Sequence, residues 1–90
     1  MPTVSIFYGI VIRMYVRDHL PPDFHAIYGG SEAFVAIESG DVLEGELPRN
    51  AARLVKEWAT LHRDDLMENW RRTGRDQPPF RIEALDAGKS

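Results

Sequence analysis

The 90-residue chain has no cysteine. That excludes disulfides and every thiolate metal site, so a bound metal would need histidine and carboxylate donors. No apolar run approaches the ~18 to 20 residues that cross a bilayer, and the start, MPTVSIFYGI, lacks the basic region of a secretory signal. These absences predict a soluble, cytoplasmic protein with no membrane partner. A net positive charge is also lacking: nine arginines and two lysines against fourteen acidic residues leave −3, which gives no general pull toward nucleic acid. No glycine-rich loop precedes a helical pattern, and no serine stands in a G-x-S-x-G setting, so a phosphate cradle and a nucleophile elbow are both missing.

What is present reads as one α+β domain over residues 1–90, with the tail DAGKS frayed. The chain is 43% hydrophobic and 28% charged, a globular rather than a disordered balance. Residues 3–47 are rich in β-branched and aromatic side chains and punctuated by turn signals, which predicts an antiparallel meander of about four strands. In YGIVIRMYVR, residues 8–17, Ile10, Ile12, Met14 and Val16 share one face of a long first strand. Val11, Arg13, Tyr15 and Arg17 share the other.

The second strand runs from about Phe24 to Tyr28 and turns at Gly29 and Gly30. EAFVAIE supplies the third, SGD the next turn, and VLEGEL the fourth, with Gly45 marking a bulge or a close approach.

The remainder is helical. Pro48 suits a first helical turn, residues 49–73 avoid glycine and proline, and Gly74 is placed to end a single long helix packed on one sheet face. About 26 residues at 1.5 Å each span ~39 Å, twice the ~17 to 20 Å of an ordinary strand. Such a helix either bends near HRDD or overhangs the sheet. Its apolar stripe is Ala51, Leu54, Val55, Trp58, Leu61, Leu66 and Trp70, with His62, Asp65 and Asn69 falling inside it. FRIEAL then predicts a short C-terminal strand.

Several blocks carry a family resemblance: FYGIVIRMY at 7–15, the His-x-x-Pro-x-x-His segment at 19–25, VLEGELP at 42–48, LVKEWATLHRDDLMENW at 54–70, and the closing PFRIEAL. Over nearly its whole length the chain resembles the small bacterial proteins grouped as domain of unknown function 4160. Where the family's usual segment carries a further histidine, this chain has Asp23. The resemblance implies no assigned activity. It does imply a small protein partner, since similar proteins are often encoded beside another small protein in toxin–antitoxin-like pairs.

Two sets of residues are candidates for function. His19, Asp23 and His25, joined by His62 across a helix–sheet interface, would give a nitrogen and oxygen ligand set for a divalent metal, with Asp65 orienting a histidine. The prolines would stiffen the loop carrying the ligands. That set predicts a metal-dependent hydrolase or nuclease in which the ion activates water.

Taken one by one, the same residues have structural roles. Asp23 would accept a backbone N–H in a turn, His25 would lie opposite Phe24 and Ala26, and His62 would pack on its helix face. The second set, Trp70, Arg71 and Arg72 at the helix end, combines residue types that dominate binding hot spots. It predicts a binding module without a cofactor, acting with a small protein partner. The arginines also offset the negative end of the helix dipole.

Overall fold

The computed structural model describes residues 2–15 and 20–86. Five strands, β1 (Thr3–Phe7), β2 (Ile10–Arg13), β3 (Asp23–Tyr28), β4 (Ser31–Ala36) and β5 (Val42–Gly45), form one antiparallel sheet in the order of the chain. Two helices follow, α1 (Arg49–Leu61) and α2 (Arg63–Gly74). The architecture is the α+β meander expected, with one strand more and a helix divided in two.

The additional strand comes from the first hairpin. Tyr8 and Gly9 both take positive φ, 50° and 78°, as the two central residues of a type I′ turn require. The predicted first strand over 8–17 therefore starts two residues later, at Ile10, and TVSIF before the turn becomes β1. At the other end of the sheet Gly45 has φ 81°, and a Cβ there would collide with the Glu32 carbonyl oxygen. The close approach expected at this glycine is real.

Strand alternation sorts the side chains as read. Ile10, Ile12 and Met14 are buried, and Phe24, Ala26, Ala33 and Val35 join them in a single core with α1 and α2. Trp58 sits at its centre, 5.1 Å from the Phe7 ring and edge-on to Phe24 at 5.7 Å.

The helix breaks at His62, whose φ of −117° and ψ of 26° leave the α region. The two pieces have 13 and 12 residues, so each is ~18 to 20 Å long and matches the sheet it covers. Asp64 and Asp65 stand in the first turn of α2, where negative charge complements the positive helix end. The buried arc runs from Trp58 toward Ala59 rather than toward Leu61, which is 66% exposed. A tight helix–sheet contact favours the small side chain over the branched one.

Gly74 does not terminate α2 by positive φ. It is the last helical residue, and Asp76 takes the left-handed position at φ 59°. The Gln77 N–H reaches the Arg72 carbonyl at 2.8 Å and the Asp76 N–H the Thr73 carbonyl at 3.2 Å, the hydrogen-bond pair of a Schellman ending. Pro78 and Pro79 then rule out further helix.

The segment 80–85 is not a strand. One backbone hydrogen bond joins it to β1, from the Ile82 N–H to the Val4 carbonyl at 2.7 Å. Side chains supply the other anchors. Trp58 Nε1 donates to the Glu83 carbonyl, and the Asn69 amide accepts from the Phe80 N–H and donates to the Phe80 carbonyl, all at 2.9 Å. The Asn69 amide thus satisfies Phe80 as a neighbouring strand would.

Candidate functional site

The register places Thr3, Arg13, His25, Phe34 and Glu44 in one row across all five strands. Their neighbours along the strands, including Phe24, face the helices. This row therefore belongs to the opposite face, which neither helix covers. His25 stacks on Phe34 with ring centroids 4.8 Å apart and planes 21° from parallel. Tyr15 lies beyond it, its hydroxyl 3.4 Å from His25 Nδ1. A second row, Ile6, Val11, Ile27 and Glu32, runs beside the first.

His62 stands elsewhere. Its ring is 5.6 Å from Trp58, within the helical layer. Trp58 touches Phe24, the residue whose side chain leaves β3 in the direction opposite to His25. The body of the sheet therefore separates His25 from His62, and their convergence across the interface does not form. Asp65 lies 3.9 Å from His62 Nδ1, too long for a hydrogen bond. Asp23 is the buried first residue of β3 rather than a turn residue. His19 lies outside the described residues. Among the described residues no group of three or more histidines and carboxylates is arranged to hold a metal ion.

The helix-end set is assembled, but its cations are engaged within the chain. Arg71 and Arg72 both bond Glu68, at 3.1 and 3.4 Å, and the Arg72 guanidinium also lies 4.9 Å from the centre of the Phe80 ring. The hydrogen bond from Arg71 is the main cause that holds the Glu68 carboxyl below its ordinary pKa. Trp70 is half-buried against the core. Both arginines stand in the last turn of α2, as the dipole argument requires.

A concavity of about 610 Å³ between the start of β3, the end of β4 and α2 is lined by Pro21, Pro22, Ala36, Glu38, Ser39, Arg63 and Met67. No candidate histidine contributes to it. The feature that sequence reasoning missed is the partly exposed sheet face away from the helices. Its signal was incomplete alternation, since Val11, Ile27 and Phe34 are apolar at positions facing away from the helices.

An antiparallel α+β domain with its helices layered on one face of the sheet defines a structural class. Within that class, a family model described as domain of unknown function (DUF4160) matches residues 9–71, and the chain belongs to that family. No curated protein and no solved structure matches it. The match stops short of β1 and of the segment 80–85, so the likeness is narrower than the near full-length resemblance read from the sequence.

Proposed function

We propose that the protein is a small bacterial binding module without catalytic activity, acting with a small protein partner in a toxin–antitoxin-like or regulatory pair. One observation carries this reading: α1 and α2 share a single core with one sheet face, while Ile6, Val11, Ile27 and Phe34 on the other face take no part in it. Ile6 is half exposed and Val11, Ile27 and Phe34 are partly so, and apolar side chains left in part to solvent are the kind of surface that association removes from water. Trp70, Arg71 and Arg72 lie at the edge of the helical layer as a second contact.

The test is co-expression with the product of any small gene encoded next to its own, followed by size-exclusion chromatography with light scattering. A stable complex is expected with the wild type, and none with Ile27→Glu or Phe34→Glu at unchanged fold. Absence of any complex at micromolar concentration, or full binding by both variants, would refute the reading. Titration with zinc, manganese and nickel, followed by histidine NMR shifts and melting temperature, addresses the metal-dependent hydrolase. A selective response at His19, His25 and His62 would put that function in place of binding.

A further inference from the structure

We infer that the β5 edge of the sheet receives an extended, positively charged segment of the protein partner, an inference that rests on the binding-module reading. β5 ends the strand order, and all four of its residues are exposed. An edge strand presents backbone N–H and C=O groups with no strand opposite, the template on which an added strand docks. Val42 and Leu43 add apolar surface, at 38% and 44% exposure.

The charges say which strand. Residues 38–46 contain Glu38, Asp41, Glu44 and Glu46 and no lysine or arginine. Asp41 is paired with Lys56 at 2.9 Å, whereas Glu32, Glu38, Glu44 and Glu46 make no ion pair among the described residues. Antiparallel pairing of β5 with a second copy would set these carboxylates against one another, and like charges directly opposite destabilise a strand pair. The register also skips Leu43, since Phe34 faces Glu44 while Val35 faces Val42. The edge therefore rejects its own copy and selects a cationic strand.

A seat for the cationic side chain adjoins the edge. A groove of about 200 Å³ is lined by His25, Glu32, Ala33, Phe34, Glu44 and Gly45. Gly45 contributes no side chain, and the Glu32 carbonyl leaves room for none. Alternate residues of an added strand point to this face, where a lysine or arginine meets two carboxylates beside an aromatic pair.

The probe is a synthetic ten-residue peptide alternating arginine and threonine, titrated by calorimetry and by amide NMR. The expected result is chemical-shift change and slowed amide exchange over residues 42–46. Glu44→Lys combined with Glu46→Lys should weaken binding at least tenfold, and a peptide alternating glutamate and threonine should not bind. Amide spectra verify the fold, and Glu32→Gln with Glu44→Gln serves as a second, milder variant. Equal affinity for wild type and both variants, no binding of the cationic peptide, or shifts confined to residues 70–72, would overturn the inference. A natural partner held equally by wild type and charge-reversed protein leaves the binding module standing and removes the edge. A protein that forms no partner complex removes the module itself.

Discussion

The two faces of this sheet are made by the same strands with the same period of two, yet one is a core and the other a surface. On the helical side Ile10, Ile12, Phe24, Ala26 and Val35 are at most 1% exposed. One residue along, Val11, Arg13, His25, Ile27 and Phe34 are only partly covered. Alternation assigns residues to a face. What covers the face depends on where the next element packs, and here both helices chose the more uniformly apolar side, where burial at roughly 25 cal/mol per Å² yields most.

The two faces differ most at Trp58. Trp58→Ala removes the centre of the covered face and the hydrogen bond to Glu83, so a loss of about 3–5 kcal/mol is expected in urea unfolding, a large part of a small domain's stability. A smaller effect is expected at Asn69. Asn69→Leu leaves the Phe80 N–H and carbonyl without their partner, costing about 1–3 kcal/mol, with faster amide exchange at Phe80 and Ile82.

Phe34→Ala probes the face away from the helices. A change of less than about 1 kcal/mol in stability, together with loss of partner binding, would show that this face serves association. A cost as large as that at Trp58 would show instead that the two faces are equivalent.

The smallest effect is electrostatic and lies outside both faces. Glu68 is held below its ordinary pKa by Arg71 and Asp41 by Lys56, in each case mainly through a side-chain hydrogen bond. A lowered carboxylate contributes stability above its unfolded-state pKa and loses it as pH falls through the still lower folded value. The gap in melting temperature between wild type and Glu68→Gln should therefore be constant near neutrality and close below the ordinary carboxylate range. Both carboxylates are exposed, so added salt should shrink the gap as well.

Much of the fold was legible because its signals are local. The apolar face of β2, the turn at Gly29, the close approach at Gly45 and the strand-to-helix change at Pro48 follow from side-chain period and backbone φ. The hairpin at Tyr8 and Gly9 was missed because a tyrosine at positive φ is uncommon. The segment 80–85 reads as a strand from its composition, but a single backbone hydrogen bond and the Asn69 and Trp58 side chains hold it instead.

The candidate histidines show the limit. Sequence alone places His25 on its strand, alternating with Phe24, but puts His62 inside the apolar stripe of one helix, whereas it opens HRDD and caps the break between α1 and α2. By itself the sequence determined the strand-rich first half, the helical second half and the residues that share each face, because those depend on near neighbours. Only the tertiary structure decided that the helix breaks at His62, that it packs against the Phe24 side, and that the sheet separates the two histidines. Those outcomes depend on how long elements fit against one another, and no local period encodes that fit.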